Sequence, residues 1–311
     1  MALSVLLALA CVVLVAAQSP PPPGPPTDTL RVEVDVVNIY CTVKESNGRL
    51  VTDLTANDFE VREDGKTQEL RYFVRETDRP LTLALLVDTS GSQTTVLPVE
   101  KEAVGQFLRQ VLRPVDMVLL ATFDVNVDLL QDFTQEVERI ERALARARIN
   151  APVGLGPFPS SKGGTHLFDA VYLVAKEKLA SEVGRKAIIV VSDGVDTGSE
   201  IAENSNKAEK LAIEVAQRSD TIIYAIGISD PGAYGLSGDI GWGRDVLKKL
   251  SQETGGRAYF PSKVEKLQEA FDQITTELRS QYSLGYTPTN RARDGGFRRV
   301  QVKVKRNGLR V

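Results

Sequence analysis

The chain has 311 residues, with 38 Lys and Arg against 41 Asp and Glu, a formal charge of −3; the length fits about two domains, and so even a balance excludes a polybasic nucleic-acid binder. Apolar residues make up 42% and charged residues 25%, a globular composition that excludes long-range disorder. One histidine leaves little room for a multi-histidine zinc site, and two cysteines are too few for a disulfide framework.

Residues 3–17 carry no charge and are mostly Leu, Val and Ala. That run is shorter than the roughly 20 residues a membrane helix needs, and it closes on the small residues Val15-Ala16-Ala17. It predicts a secretory signal peptide over 1–17, cleaved after Ala17, and a secreted, periplasmic or cell-envelope protein. No Lys or Arg precedes the run, which departs from the signal-peptide pattern, and because its length is near the lower limit for a span an uncleaved membrane anchor is the alternative. Cys11 follows Ala8-Leu9-Ala10, with Ala where a lipoprotein signal prefers Leu, which argues against lipidation. Residues 18–29 form a Pro-rich spacer, stiffened by PPPPGPP at 20–26.

Residues 30–76 predict a β module. Val32, Val34 and Val36 alternate, the phase slips, and then Val37, Ile39, Cys41 and Val43 alternate, which implies a bulge or a change of strand. Cys41 falls on the apolar phase and is expected to be a buried structural thiol. Asn47-Gly48 and Asp64-Gly65 are hairpin turns.

From residue 80 to 280 strands and helices alternate. The run 81–87, apolar but for Thr82, predicts a strand buried on both faces. Pro98 opens a helix that gathers Val104, Phe107, Leu108 and Val111 on one face. Strands follow at 117–123 and 127–133, joined by only Asp124-Val125-Asn126, which permits nothing but an antiparallel hairpin. A helix through Val137, Ile140 and Leu144 leads to a Gly-, Pro- and Ser-rich loop at 150–164, then a helix at 167–183 that stops at Gly184. The remaining units are a strand at 187–191, a helix at 202–217, a strand at 221–228, a helix at 243–254, a short strand at 257–260 and a helix at 263–279. The pattern predicts a doubly wound α/β domain: a mostly parallel six-stranded sheet with one antiparallel edge strand.

In the C-terminal segment 281–311, Val300, Val302 and Val304 alternate with Gln301, Lys303 and Lys305, and Asn307-Gly308 marks a turn. A module of 30–76 alone is marginal in size, and the valine face needs a cover. The two flanks are therefore expected to fold together as one small β module beside the α/β domain.

The chemistry gathers at strand ends. The first central strand runs into Asp88-Thr89-Ser90-Gly91-Ser92, Thr165 follows Gly163-Gly164, and the strand at 187–191 runs into Ser192-Asp193-Gly194. In a doubly wound sheet ligands collect outside the carboxyl ends of neighbouring strands at the switch point. The strands before Asp88 and Asp193 are the expected neighbours, with Asp88 on a loop tip outside the core. Oxygen donors alone select a hard cation, Mg²⁺, Mn²⁺ or Ca²⁺. Asp88 and Asp193 supply −2 at most and the other donors are neutral hydroxyls. A bound ion then stays electrophilic and has a position open for one more anionic oxygen, such as a carboxylate of a protein partner.

This pattern of DxSxS, GGT and SDG over residues 80–280 resembles the von Willebrand factor A domain with its metal-ion-dependent adhesion site. Three further runs are similar to the secreted bacterial VWFA-related proteins first grouped in acidobacteria. These are Asp58-Phe59-Glu60-Val61 with Glu63-Asp64-Gly65, Asp193-Gly194-Val195-Asp196-Thr197, and Tyr282-Ser283-Leu284-Gly285-Tyr286-Thr287-Pro288. The resemblance implies direct metal contacts for Asp88, Ser90 and Ser92, a state-dependent contact for Thr165, and a water-mediated one for Asp193. It implies a non-enzymatic adhesion module that binds an acidic residue of a protein ligand through the ion.

Two other functions stay open at the level of sequence. A phosphatase-like, metal-dependent hydrolase would want a second carboxylate two residues after Asp88, where Ser90 stands, and no P-loop or GxSxG is present. A structural envelope protein would use the metal only for stability. Asp169 and Asp196 are expected to cap or support the site, and His166 to pack at its rim. Trp242 and Tyr234, in the Gly-rich loop 229–243, are either partner contacts or buried beneath the loop. Residues 291–310 hold eight basic residues and Asp294, a local charge of 8 − 1 = +7, and read as a solvated strand face or an anion-facing surface.

Overall fold

A computed structural model describes residues 36–75, 79–149, 164–228, 239–292, 294 and 296–311. The expected leader, the proline spacer, Val32, Val34, Gly163, Tyr234 and most of the loop 150–164 lie outside the described residues.

The N-terminal flank contributes β1 (Val37–Cys41), β2 (Lys44–Glu45), β3 (Phe59–Glu63), β4 (Lys66–Gln68) and β5 (Leu70–Arg75). The α/β domain follows: β6 (Leu81–Asp88), α1 (Leu97–Val111), β7 (Met117–Phe123), β8 (Val127–Thr134), α2 (Val137–Arg146) and α3 (Leu167–Leu173). It continues through β9 (Arg185–Ser192), α4 (Ser205–Arg218), β10 (Thr221–Gly227), α5 (Asp239–Glu253), β11 (Ala258–Tyr259) and α6 (Leu267–Arg279). The chain closes with β12 (Tyr282–Tyr286), β13 (Val300–Val304) and β14 (Leu309–Arg310).

The central sheet has six strands in the order β11-β10-β9-β6-β7-β8. All pairs are parallel except the β7–β8 hairpin, so the one antiparallel strand sits at the edge. Every residue of β6 is buried because the strand has a neighbour on each side and helices above and below. Leu83, Leu85 and Val87 point to the face covered by α1, α2 and α6, where Phe107 and Phe271 meet with ring centroids 4.8 Å apart. Ala84 and Leu86 point to the opposite face, covered by α3, α4 and α5 through Phe168, Val171, Ala212 and Leu247. Each such Leu or Phe side chain stabilises the fold by about 1.5–3 kcal/mol.

One helix is shorter than the sequence predicts. α3 ends at Leu173 and widens into a π turn over Val174–Leu179 instead of running to residue 183. Val183 is exposed, and the chain turns at Gly184, φ +90°, to enter β9.

The two flanks share a core. β12 lies between β1 and β5 in one antiparallel sheet, Cys41 opposite Tyr282 and Tyr282 opposite Arg75. β13 pairs with β3, Val300 opposite Glu63 and Val304 opposite Phe59, and β14 pairs with β2. Asp64 (φ 47°) and Gly65 (φ 80°) turn β3 into β4 with both central residues left-handed, as a two-residue hairpin requires. Val43, Leu54, Phe59, Val61, Tyr282, Leu284 and Tyr286 are buried, with the valines of β13 packed over them. The Tyr282 hydroxyl donates to the Val51 carbonyl at 2.9 Å and accepts from the Leu54 amide at 3.0 Å.

Cys41 differs from the expectation of full burial. It is only half-buried, because β1 is an edge strand, yet its surroundings are apolar enough to push the thiol up to about 12. Lys44 of β2 pairs with Glu277 of α6, which ties the module to the α/β domain. Among the described residues no helix is long and apolar enough to cross a membrane.

Candidate metal centre

Three loops meet beyond the carboxyl ends of β6 and β9. β6 and β9 are adjacent and in parallel register, Val87 opposite Val191, so Asp88 and Ser192 end side by side. Asp88 is not on an exposed loop tip. It is the last residue of the central strand, still paired opposite Phe123 of β7, and has no solvent exposure. Its carboxylate accepts from the Ser90 amide at 2.9 Å through one oxygen and from the Ser192 hydroxyl at 2.6 Å through the other. A tight turn over Gly91–Gln93 then brings the two serine hydroxyls together, Ser90 Oγ to Ser92 Oγ 3.0 Å.

Asp193 closes the group from the neighbouring strand. Its Oδ2 accepts from Ser92 Oγ at 2.6 Å and from Gln93 Nε2 at 2.9 Å, and its Oδ1 from the Val195 amide at 2.9 Å. Gly194 takes φ +82°, and its amide donates to Ser192 Oγ at 3.0 Å, which locks the Ser192-Asp193-Gly194 turn. Four of the five sequence-derived residues thus share one hydrogen-bonded cluster. Thr165 comes from the third loop and is buried. Its amide donates to Thr197 Oγ1 at 2.8 Å, its carbonyl accepts from the Thr197 amide at 2.9 Å, and the next amide, that of His166, donates to the Asp124 carbonyl at 2.7 Å.

The electrostatics are those of buried carboxyls that repel one another. Burial holds the Asp88 carboxyl well above the ordinary aspartate range, and the charge of Asp193 adds to the shift against the hydrogen bonds from Ser192 and Ser90. Glu100, in the first turn of α1, has no solvent exposure, and neither carboxylate oxygen has a hydrogen-bond partner. Burial pushes its carboxyl up strongly, and the charges of Asp88 and Asp193 push in the same direction. Gln93 Oε1 is likewise buried without a partner.

The donor set fits a small divalent cation. Mg²⁺ holds oxygens at about 2.0–2.1 Å in an octahedron, whose edges are then about 2.9 Å; Ser90 Oγ and Ser92 Oγ stand 3.0 Å apart. Among the described residues no group of three or more His, Cys, Asp or Glu gathers as a metal cage. The set is two carboxylates and hydroxyls, which suits a hard ion.

The supporting residues have definite tasks. Asp169 accepts from Ser199 Oγ at 2.5 Å and from the Glu200 amide at 2.6 Å, which pins the loop after Asp193. Asp196 accepts from Ser205 Oγ at 2.6 Å and holds the start of α4. His166 sits beside Asp169, Nδ1 to Oδ2 3.7 Å. Trp242 lies on α5, half-exposed, and is not buried under a loop.

Sequence reasoning missed Ser192, Gln93 and Glu100. Glu100 left a signal: it stands four residues before Val104 and seven before Phe107, on the buried face of α1, where a charged residue is out of place. Ser192, the last residue of β9, stood in the Ser192-Asp193-Gly194 run without a task of its own, and Gln93 left no signal, since a polar residue in a turn has many uses.

Residues 83–195 match the family model of the von Willebrand factor type A domain. No curated protein matches the chain. Among solved structures, proximal thread matrix protein 1 from the mussel byssus superposes with a TM-score of 0.50 at 12% identity, over 70% of this chain and 51% of that one. The pilus adhesin SpaC from Lactobacillus rhamnosus GG, in its open conformation, gives a TM-score of 0.50 at 11% identity, over 80% of this chain and 43% of the adhesin. The chain therefore spans about half the length of these proteins or less, and at such identities what they share is the fold.

Proposed function

We propose that this chain is an extracytoplasmic, divalent-cation-dependent protein-binding module of the bacterial envelope, of the secreted VWFA-related type. The observation that carries the reading is the cluster of Asp88, Ser90, Ser92 and Asp193, whose oxygens converge at the carboxyl end of the central sheet. Mg²⁺ is the ion that the donor set favours, with Mn²⁺ or Ca²⁺ as substitutes. Asp88, Ser90 and Ser92 would hold it directly, Asp193 would act from behind through its bond to Ser92, and Thr165 would approach from the third loop. The ion's chemistry there is that of an acceptor for one outside carboxylate. The chain's own residues fix the hydroxyls and place only one carboxylate, that of Asp88, directly on the ion, so a partner's Asp or Glu completes the coordination.

The same geometry favours a non-enzymatic role. Both oxygens of Asp88 are engaged, by the Ser90 amide and the Ser192 hydroxyl, which suits a fixed ligand better than an attacking nucleophile. The pilus adhesin SpaC shares the fold, and adhesion is in keeping with the proposal. The test is binding of a short Asp-containing peptide. The parent binds in Mg²⁺ and releases on chelation, Asp88→Ala does not bind, and Thr165→Ala loses more peptide affinity than metal affinity. Binding that survives chelation refutes the reading.

A further inference from the structure

The face that carries the metal centre has a second half, built by α5. A Cβ on Gly194 would stand 2.2 Å from the Gly243 carbonyl oxygen, and one on Gly243 would stand 2.3 Å from that of Asp193. At Gly243, α5 therefore rests its bare backbone directly on the turn that holds Asp193. Trp242, the residue before Gly243 and the chain's single tryptophan, is 46% exposed. The apolar side of α5, Val246, Leu247 and Leu250, is buried in the core, so the indole is not there to fill it.

Arg244 is anchored at the same end of the sheet. Its guanidinium lies over the Phe260 ring, 4.1 Å from the centroid. Phe260 in turn packs on Gly227, where a Cβ would meet the ring at 2.4 Å, and Gly227 ends β10 in register with Ser192. Stacking spares the edges of a guanidinium, which stay free to pair with a carboxylate. An indole and a guanidinium held in place are the side chains that most often carry binding energy at interfaces.

We propose that Trp242 and Arg244 form a docking rim beside the metal centre for an acidic peptide segment in which an apolar residue follows the metal-seeking Asp. This rests on the metal-dependent reading and names its partner more narrowly. The occupant follows from charge and shape: a divalent ion on two carboxylates leaves no negative charge to spare, Arg244 adds a positive one, and the exposed indole offers apolar area. The flanking side chain covers Trp242 while the Asp reaches the ion.

The single tryptophan makes the rim observable in the full chain. Mn²⁺ is paramagnetic and quenches an indole at short range, whereas Mg²⁺ does not. Mn²⁺ is expected to quench Trp242 emission saturably in the parent and not in Asp88→Ala. Two peptides, Gly-Asp-Leu-Gly and Gly-Asp-Gly-Gly, are then compared in Mg²⁺. The parent is expected to prefer the first by about tenfold, worth about 1.4 kcal/mol, from burial of one leucine against the indole. Trp242→Ala loses that preference and binds Mg²⁺ within twofold of the parent by calorimetry. Preference kept in Trp242→Ala, equal binding of the two peptides by the parent, or calorimetric Mn²⁺ binding without quenching overturns the rim and leaves the metal-dependent reading standing, whereas failure of the parent to bind either peptide counts against that reading as well. Absence of any Mg²⁺ or Mn²⁺ binding overturns both.

Discussion

Replacing Glu100 with Leu should make the metal-free protein more stable, and more so as the pH rises. The carboxylate is fully buried and neither oxygen has a partner. Its neighbours on the buried face of α1 are apolar, Ala103, Val104 and Phe107 among them, so a leucine meets the surroundings that a charge does not. Replacing buried ionic groups by hydrophobic residues of similar size is worth up to about 1–4 kcal/mol, and about 2–4 °C per kcal/mol in a chain of this size. The pH dependence has a definite sign. The folded-state carboxyl titrates well above the ordinary glutamate value, so the folded chain holds a proton that the unfolded chain has lost. Stability is then intact below the unfolded value of about 4.3 and falls as pH rises from there through the folded value. The variant lacks that loss, and its advantage grows with pH. Melting curves of parent and variant in chelator at pH 5 and pH 8 measure it, with Mg²⁺ added in a second series. In saturating Mg²⁺ the advantage should shrink, because the cation offsets the charge. A variant less stable than the parent at pH 8 in chelator, or an advantage equal at both pH values, refutes the reasoning.

Three further outcomes are expected. Gly194→Ala should cost about 1–2 kcal/mol for left-handed backbone and about 1–3 kcal/mol for overpacking against Gly243, whose carbonyl is 2.2 Å from the new Cβ; Mg²⁺ affinity falls with it, since Asp193 is displaced, and an unchanged melting temperature would contradict this. Tyr282→Phe leaves the Leu54 amide and the Val51 carbonyl without their shared partner and should cost about 1–3 kcal/mol in denaturant unfolding. Cys41, with its thiol pushed up to about 12, should resist a thiol reagent at pH 8 and react once urea unfolds the chain; rapid reaction in the native state would contradict the packing of β1.

The α/β domain was legible because its signals are local and redundant. The seven-residue run 81–87, apolar but for Thr82, reads as a central strand, and a three-residue link can only make the antiparallel β7–β8 edge. That the valine strand meets the N-terminal flank followed from an apolar face in need of cover, but its pairing with β3 in particular and the placement of β12 between β1 and β5 did not, since strand order is set by long-range packing. At the site, Asp88, Ser90, Ser92 and Asp193 stood out by spacing. Burial was misjudged: Asp88 looked like a loop residue, whereas parallel neighbours on both sides keep its backbone within the sheet. Glu100 and Gln93 were missed because their role depends on what α1 faces, which periodicity indicates only as apolar or polar.

The central claim is that Asp88, Ser90 and Ser92 hold a divalent cation in the folded chain, and calorimetric titration with Mg²⁺ tests it most directly. The parent should bind one ion, melt at a higher temperature with it, and lose both effects in Asp88→Ala while the variant keeps the parent's circular dichroism spectrum. A parent that shows neither heat nor a thermal shift, or an Asp88→Ala variant that binds as the parent does, would contradict it.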